Sequence, residues 1–440
     1  MEKLVYSRVF SFLDTNKIFY NHQYGFRPKY STNHALINIT ERIRESLDQG
    51  KFVAGVFVDF QKAFDTVNHQ ILVKKLSHYG IRGNLNKWFA SYLSNRKQHV
   101  SVLGFDSLNQ TVNHGVPQGS VLGPLLFLIY INDLYRSVKF SSTYHFADDT
   151  NLLSIGNNIH SLQSLLNRDL NSLYKWLLAN KISLNAAKTE LIIFRKPSQT
   201  QPLTNIKING TRIVPVSSIK YLGVHLDSYL NGSAHCFQLQ TKLQRAIGMI
   251  AKTRHYLKNN PQQLLSLYHA IFSSHMIYGC QAWGLSNNKY INKIQTLQNR
   301  ALRLISFSDS STSPFQHTVD IYKNLKLLKF SDLVTLKNLL FIHDYINKKL
   351  PESFIGYFHL SRDMHTHNTR NASHCHLFIP QTDSVRYGRN SFKLKAIFSW
   401  NSFCDRFPEV DFTLLHRKQF KNTIITHFLD SYIHVDPLIT

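Results

Sequence analysis

Cysteine is scarce in this chain, and the few cysteines are far apart. The 440 residues include four cysteines and no CxxC pair; they are Cys236, Cys280, Cys375 and Cys404. Small secreted domains held by disulfides have dense, regularly spaced cysteines, so the sequence excludes that class. The cysteine usage predicts a protein of a reducing compartment.

Long apolar runs are also missing. The first residues, MEKLVYSRVFSFLDTNKIF, contain no continuous apolar segment of the kind found in a secretory signal. The longest apolar stretch, residues 121–131, is interrupted by Gly123 and Pro124 and is too short to cross a bilayer. We therefore predict a buried helix there, no membrane partner, and an intracellular location in the nucleus and cytoplasm.

Acidic residues are about half as numerous as basic ones. The chain has 51 Lys and Arg against 26 Asp and Glu, a formal net charge of +25, and the excess is spread along its whole length. A solvated basic surface is the simplest explanation. A folded protein this basic nevertheless favours a polyanionic partner, because each phosphate that it neutralises releases a counterion. Nucleic acid is the partner that the composition predicts.

Strand-like and helix-like patterns alternate over the first half of the chain. The apolar run at 51–60 predicts a buried strand, residues 65–79 predict a helix, and two β-prone runs place residues 147–149 at a hairpin tip. Leucines at helical spacing predict a further helix over 162–177. Beyond about residue 230 long amphipathic helices follow. The alternation predicts an α+β unit followed by a helical region.

Three carboxylates stand where two neighbouring strands could bring them together. Asp59 ends the strand predicted at 51–60, and Asp148 and Asp149 lie at the predicted hairpin tip. Each feature alone is common as an ordinary strand end or acidic turn. Nucleotidyl transfer, however, uses two divalent ions about 3.5–4 Å apart, and Mg²⁺ prefers carboxylate and phosphate oxygens. Without a cation such a cluster would repel itself.

Six segments in a fixed order resemble motifs of the reverse transcriptases of non-LTR (LINE-type, jockey- or CR1-like) retrotransposons. They are QYGFRPKYSTNHAL at 23–36, VFVDFQKAFDTV at 56–67, GVPQGSVLGPLLF at 115–127, FADD at 146–149, LNAAKTELIIF at 184–194 and YLGVHLD at 221–227. The resemblance implies an α+β right-hand polymerase with fingers, palm and thumb, an antiparallel palm sheet and a mainly helical C-terminal region.

The resemblance also implies a domain order. The expected domains are partial fingers at 1–50, a palm with motifs A to E at 51–230, a helical thumb at 231–310 and a C-terminal region of uncertain role at 311–440. Basic residues of the thumb could follow a duplex backbone. They are Lys242, Arg245, Lys252 and Arg254.

Catalytic roles follow from the same resemblance. It makes Asp59, Asp148 and Asp149 the ligands of two Mg²⁺ ions, for which Mn²⁺ could substitute, with the backbone carbonyl of Phe60 assisting. Lys188 corresponds to a lysine that could protonate the pyrophosphate leaving group. The alternative for Lys188 is a solvated loop lysine.

Binding roles are implied for further residues. Phe64 corresponds to an aromatic gate that excludes the ribose 2′-hydroxyl, and Gln118 and Gly119 would lie along the incoming nucleotide and the template. The residues implied at the primer and template are Arg27, Tyr221, Leu222 and Gly223. Two alternatives stay open: Arg27 could brace the fingers instead, and Asp65, beside the gate, could be a helix cap.

A histidine-rich loop near the C-terminus raises the question of a zinc site. Its candidate ligands are His365, His367, His374, Cys375 and His376. Their spacing matches neither a CxxC pair nor a zinc knuckle, so the sequence favours a loop without metal.

The resemblance has gaps at the N-terminal side. We find no RPISL-like block and no endonuclease, both of which the family carries upstream, so we expect an N-terminally truncated chain of weak activity. The predicted function is RNA-directed DNA polymerisation with an RNA template, a DNA primer and dNTPs; the oligomeric state stays open. A non-catalytic nucleic-acid-binding remnant is the alternative. An RNA-dependent RNA polymerase is disfavoured, because such enzymes usually have Gly where this chain has Ala147.

Overall fold

The computed structural model describes residues 1–199, 205–257, 260–284, 288–306, 316–364 and 375–432. They form two compact units. The first contains Met1–Ala35 and Gly50–Ser217, and the second contains Leu36–Gln49 and the chain from Ser218 onward. Within these described ranges no helix is both long and apolar enough to cross a bilayer.

The first unit contains a sheet, small hairpins and helices. Its helices are α1 (Glu2–Thr15), the start of α2 (Thr32–Asp48), α3 (His69–His78), α4 (Gly83–Leu93), α5 (Leu122–Ile131) and α6 (Ile159–Ala179), with a 3₁₀ turn at Leu134–Ser137. Its strands are β1 (Phe52–Val58), β2 (Arg96–Gln98), β3 (Ser101–Val102), β4 (Phe105–Asp106), β5 (Gln110–Val112), β6 (Ser142–Phe146), β7 (Asp149–Gly156), β8 (Glu190–Phe194), β9 (Lys207–Ile208), β10 (Thr211–Arg212) and β11 (Pro215–Val216).

Five of these strands form the main sheet, in the order β11-β8-β1-β7-β6. The central strand β1 is antiparallel to both neighbours, β7 and β8, and β6 and β7 form a hairpin. The short β11 pairs parallel to β8. Six of the seven residues of β1 are buried, as expected for a strand covered on both faces. The predicted buried strand, the predicted hairpin and the mainly antiparallel sheet are confirmed.

Two helices match their sequence patterns closely. Helix α5 is apolar on all sides, and nine of its ten residues are buried, which confirms the prediction for the stretch around Gly123 and Pro124. Pro124 is tolerated because it lies in the first turn, where an N–H would have no intrahelical partner. Helix α6 buries five of the leucines that predicted it: Leu162, Leu166, Leu170, Leu173 and Leu177.

Helix α3 begins later than the pattern suggested. The predicted start was residue 65, but the helix starts at His69, and the side chain of Asn68 accepts a hydrogen bond from the Ile71 amide at 3.1 Å. The capping role considered for Asp65 is therefore wrong. Asn68 satisfies the free amide of the first turn, and Asp65 lies in the loop before it.

The second unit is mainly helical. Its hairpin consists of β12 (Ser218–Tyr221) and β13 (Val224–Asp227). Its helices, besides most of α2, are α7 (Ser233–Thr253), α8 (Pro261–Tyr268), α9 (Ser274–Ile277), α10 (Cys280–Trp283), α11 (Asn288–Ser306), α12 (Gln316–Asn324), α13 (Phe330–Ile346), α14 (Ser361–Met364), α15 (Phe392–Arg406) and α16 (Arg417–Ser431). Short 3₁₀ and π-helical turns lie at Glu352–Phe354, His269–Ser273 and Val385–Arg389.

A buried carboxylate on α2 binds the start of α15 within the second unit. Glu41 accepts hydrogen bonds from the amides of Phe392 and Lys393, at 2.7 and 3.0 Å, at the start of α15. Burial raises the pKa of Glu41, while Arg44 and these amides oppose that shift. Two turns further, Asp48 accepts a hydrogen bond from the Asp383 amide at 3.0 Å. Residues 383–393 thus pack on a helix from the start of the chain.

The histidine-rich loop is only partly described. His365, His367 and His374 lie outside the described residues, so the structure does not alter the prediction of a loop without metal. Among the described members, the thiols of Cys375 and Cys404 lie 2.9 Å apart. The Nε2 atom of His376 lies 2.9 Å from a carboxylate oxygen of Asp405.

Candidate active site

The three predicted metal ligands lie at one end of the main sheet. Asp59 directly follows β1, Asp148 lies in the turn of the β6–β7 hairpin, and Asp149 is the first residue of β7. The register pairs Val58 with Thr150, so the end of β1 lies beside the start of β7. The antiparallel pairing of two neighbouring strands therefore brings the carboxylates to one edge.

Burial and neighbouring charge oppose the ionisation of Asp148 and Asp149. Burial raises the pKa of Asp149 to about 6, with further contributions from the charges of Asp148 and Asp59. Burial also raises the pKa of Asp148, and Asp59 adds to that shift. Like charges at one edge of a sheet favour the binding of a proton or a cation. The negative charge of the site thus favours the binding of a cation.

Asp59 is oriented by a residue that the sequence did not single out. The side-chain amide of Asn185 donates to a carboxylate oxygen of Asp59 at 2.8 Å, and the Asn185 backbone amide donates to the Asp59 carbonyl at 2.8 Å. Phe60 and Leu184 form a β-bridge beside this contact. The segment around Asn185 therefore fixes both the backbone and the side chain of Asp59.

The hairpin turn is held by the segment that begins at Gln23. Ala147 has a positive φ of 56°, and its amide donates to the side-chain oxygen of Gln23 at 2.9 Å. The same oxygen accepts from the Gly25 amide at 2.9 Å, and the Tyr24 amide donates to the His145 carbonyl at 2.8 Å. A Cβ atom on Gly25 would lie 2.3 Å from the nitrogen of Ala147. Only glycine fits against this turn without moving it.

The predicted sugar gate is fixed by two other aromatic rings. Phe64 is half-buried and stacks on Phe127 of α5, with ring centroids 4.2 Å apart. Phe26 contacts the same Phe64 ring edge-on, with centroids 6.0 Å apart. Because Phe127 belongs to a buried helix, the Phe64 ring has a fixed position in the loop that follows Asp59. Its role in sugar selection stays a prediction.

The loop that contains Gln118 and Gly119 packs on the segment after Asp59. Gln118 donates to a carboxylate oxygen of Asp65 at 2.8 Å, and a Cβ atom on Gly115 would lie 2.9 Å from the Asp65 backbone. Gly119 has a φ of 81° and open space around it. The loop leaves an exposed surface at Gln118 and Gly119, where a substrate could lie.

Lys188 and Arg27 occupy contrasting surroundings. Lys188 is exposed in the turn between Asn185 and β8, so its proposed proton transfer stays a prediction. Arg27 is 8% exposed; its guanidinium lies 3.4 Å from Asp14 and over the ring of Tyr30 at 4.1 Å. This burial favours the bracing role for Arg27, and its contact with a template stays a prediction.

The predicted primer-end residues lie in the second unit. Tyr221 is buried, and Leu222 and Gly223 form the turn between β12 and β13 with positive φ values of 42° and 81°. The Tyr278 hydroxyl donates to the Leu222 carbonyl at 2.7 Å. The turn is therefore fixed from one side, and its role at the primer end stays a prediction.

The carboxylates do not form a closed ligand shell. In the described part of the chain, no three His, Cys, Asp or Glu side chains are arranged so as to hold a metal ion. Asp59, Asp148 and Asp149 supply hard oxygen donors at the edge of the sheet, the type that Mg²⁺ binds together with water and phosphate oxygens.

The comparisons with known proteins identify the class. Residues 1–226 match the family model described as "Reverse transcriptase (RNA-dependent DNA polymerase)". The chain therefore belongs to the reverse transcriptase family, in its non-LTR retrotransposon branch.

The relatives that place it in this branch come from mobile elements of Drosophila melanogaster. The RNA-directed DNA polymerase from mobile element jockey is 30% identical over 349 residues, covering 76% of this chain and 36% of the relative. The probable RNA-directed DNA polymerase from transposon BS is 29% identical over 326 residues, covering 69% of this chain and 34% of the relative. The chain thus spans about a third of the length of these relatives.

Among solved structures, apo telomerase from Candida tropicalis is similar with a TM-score of 0.40 and 13% identity, over 79% of this chain and 59% of that one. At this level of likeness the fold assignment rests on the family match and on the sheet described above.

Proposed function

We propose that this chain is the polymerase part of a non-LTR retrotransposon protein that copies RNA into DNA in the nucleus and cytoplasm. It would transfer a nucleotide from a dNTP to the 3′-hydroxyl of a DNA primer paired with an RNA template. The observation that supports this most is the placement of Asp59, Asp148 and Asp149 at one sheet edge in a member of the reverse transcriptase family.

Asp59, Asp148 and Asp149 would hold the divalent ions, Mg²⁺ with Mn²⁺ as a possible substitute. Their oxygen donors suit Mg²⁺. Burial, with the charges of Asp148 and Asp59, raises the pKa of Asp149, as expected for a carboxylate beside other carboxylates without a neutralising cation. When bound, two such ions activate the attacking hydroxyl and neutralise the triphosphate.

The other site residues would position the substrates. Phe64 would exclude a 2′-hydroxyl, Gln118 and Gly119 would contact the nucleotide and template, and Lys188 would protonate the leaving group. Asn185 and Gln23 are positioning residues in this proposal, since they hold Asp59 and the Ala147 turn.

Primer extension on an RNA template tests the proposal. The purified chain, a labelled DNA primer annealed to RNA, dNTPs and Mg²⁺ should give extended primers, and chelation of the metal should stop the reaction. Duplex binding is measured in parallel by fluorescence anisotropy.

The result can contradict the proposal in two ways. Tight duplex binding without extension in Mg²⁺ or Mn²⁺ would favour a non-catalytic nucleic-acid-binding protein. Extension that uses rNTPs in preference to dNTPs would favour an RNA polymerase.

A further inference from the structure

The segment between α4 and α5 forms a hairpin whose tip is apolar and exposed. Strands β2 and β5 form its stem, with Arg96 opposite Val112, and β3 and β4 form its tip. Five apolar side chains of the tip are at least 60% exposed: Val100 (65%), Val102 (60%), Leu103 (94%), Phe105 (82%) and Leu108 (84%). Exposed apolar clusters of this kind mark interaction sites more often than isolated apolar residues do.

The turn of this hairpin contains a residue that local folding disfavours. Leu103 and Gly104 both have positive φ, at 51° and 84°. A two-residue turn with this conformation prefers Asn, Asp or Gly at the first position, because other side chains are strained there. Leu103 gains no packing in return, since it is almost fully exposed. A strained and exposed apolar residue is more readily explained by a binding role than by folding.

The stem supplies charges that suit a polyanion. Arg96 and Lys97 are exposed on β2, and the guanidinium of Arg96 lies 5.3 Å from the ring centre of Tyr92. Asp106 is the single acidic residue between positions 96 and 112, and His99 lies 3.9 Å from its carboxylate. The hairpin thus has a basic stem and an apolar tip with one aromatic ring.

This combination suits unpaired nucleic acid. Bases stack on aromatic and apolar side chains, while Lys and Arg contact the phosphates. The placement along the chain agrees, because β5 leads within three residues to Gly115 and the Gln118 loop. We propose that the hairpin from Arg96 to Val112 binds an unpaired nucleic acid strand, with Leu103 and Phe105 against bases and Arg96 and Lys97 against phosphates. The choice of nucleic acid as ligand rests on the proposed function.

Because the turn is strained at Leu103, one substitution there can remove the apolar side chain without destabilising the fold. Leu103→Asn removes the apolar side chain and places a favoured residue in the left-handed conformation, so the variant should melt no lower than the wild type. Binding of a fluorescein-labelled oligouridylate to the full chain is measured by anisotropy. We expect Phe105→Ser to weaken binding roughly tenfold, the usual effect of removing an aromatic ring on which a base stacks. Leu103→Asn should also weaken binding, because it removes an apolar side chain that packs against a base.

Two further variants separate the tip from the stem. Leu178→Asn is the matched control, since Leu178 is 59% exposed at the end of α6 in the same unit, and it should bind like the wild type. Arg96→Gln combined with Lys97→Gln should weaken binding and reduce the slope of log affinity against log salt by about 1.4. Each single-strand phosphate that a basic side chain neutralises contributes about 0.7 to that slope.

Several outcomes would overturn the proposal. Wild-type affinity in Leu103→Asn would do so. So would an effect of Leu103→Asn only on self-association in size-exclusion chromatography, or only on binding to anionic lipid vesicles.

Primer extension by the same proteins separates the two proposals. Hairpin-dependent binding without extension by the wild type contradicts the polymerase and leaves the hairpin proposal standing. Extension together with unchanged binding in Leu103→Asn contradicts the hairpin proposal alone.

Discussion

The two units of the molecule organise their proposed roles in different ways. In the first unit the candidate site depends on single close contacts, such as the Asn185 amide on Asp59 at 2.8 Å and the missing side chain of Gly25 against Ala147. In the second unit the residues predicted to follow a duplex lie along the surface of a helix, as Lys242 and Arg245 do on α7. Catalysis that depends on closely placed residues should fail when one of them changes. A basic surface should instead lose affinity for nucleic acid gradually as its charges are removed one by one.

The largest expected effect is on polymerisation. Asp148→Asn removes a carboxylate from the sheet edge, and we expect primer extension to fall by a factor on the order of a hundred or more, as for other groups that stabilise charge during reaction. Duplex binding should persist. Asp363→Asn removes an equal charge from an exposed position of the second unit and should leave extension unchanged. Equal activity of the two variants would contradict the view that the first unit contains the catalytic site.

A pair of glycine substitutions compares the units by stability. A Cβ atom on Gly25 would lie 2.3 Å from the Ala147 nitrogen, whereas one on Gly248, in α7, has nothing within 4 Å. Gly25→Ala should therefore destabilise the protein by about 1–3 kcal/mol and slow extension, as overpacked sites do. Gly248→Ala should stabilise it by up to about 1 kcal/mol, because Ala is the better helix former.

Chemical denaturation of both glycine variants measures the difference. Equal free energies of unfolding would mean that the hairpin turn can move away from residue 25, and the close fit would then not constrain the site.

The basic surface of the second unit should respond to salt. Lys242→Gln combined with Arg245→Gln should weaken binding of an RNA–DNA duplex and reduce the slope of log affinity against log salt by about two, since each neutralised duplex phosphate contributes close to 0.9. Extension at saturating duplex should stay near the wild-type rate. The matched control is Lys348→Gln with Lys349→Gln, two neighbouring lysines of the same unit. An identical slope in both double variants would contradict the duplex-binding role of α7.

The smallest effect is a pH dependence confined to the first unit. Because the folded protein raises the pKa of Asp149 to about 6, protonated Asp149 stabilises the fold. This contribution is fully present below the unfolded pKa of about 4 and is lost as pH rises through about 6. In metal-free buffer the wild type should lose melting temperature relative to Asp149→Asn over that interval. Added Mg²⁺ should reverse the loss at neutral pH. If the melting temperatures of the wild type and Asp149→Asn change in parallel with pH, both with and without Mg²⁺, the proposal that neighbouring carboxylates at this site raise the pKa of Asp149 is contradicted.

Much of the sheet and the position of the carboxylates could be predicted from the sequence. The run that became β1 is continuously apolar and ends in Asp59, and the turn at Ala147 lies between two β-prone segments. Local patterns suffice for such features. The cap of α3 was misplaced because Asp65 and Asn68 are both good capping residues, and only the three-dimensional path of the loop distinguishes them.

Contacts between distant parts of the chain could not be predicted in this way. Gln23 reaches the hairpin turn across 124 residues, and Asn185 reaches Asp59 across 126. Both lie in segments that resemble family motifs, but nothing local indicates which side chain in such a segment makes the contact. The exposed tip at Leu103 was missed for a related reason: an apolar residue in a β-prone run looks the same whether or not another element covers it.

The contact between Glu41 and α15 has a consequence for the timing of folding. The carboxylate lies on an early helix, and the Phe392 amide that donates to it is 351 residues further along the chain. At the usual pace of translation, roughly 5–20 residues per second, α2 leaves the ribosome on the order of 20 to 70 seconds before its partner exists. Throughout that interval the Glu41 carboxylate lacks the two amides that donate to it. This part of the second unit can therefore form only late in synthesis, and a slowly translated message would prolong the time for which Glu41 has no amide partner.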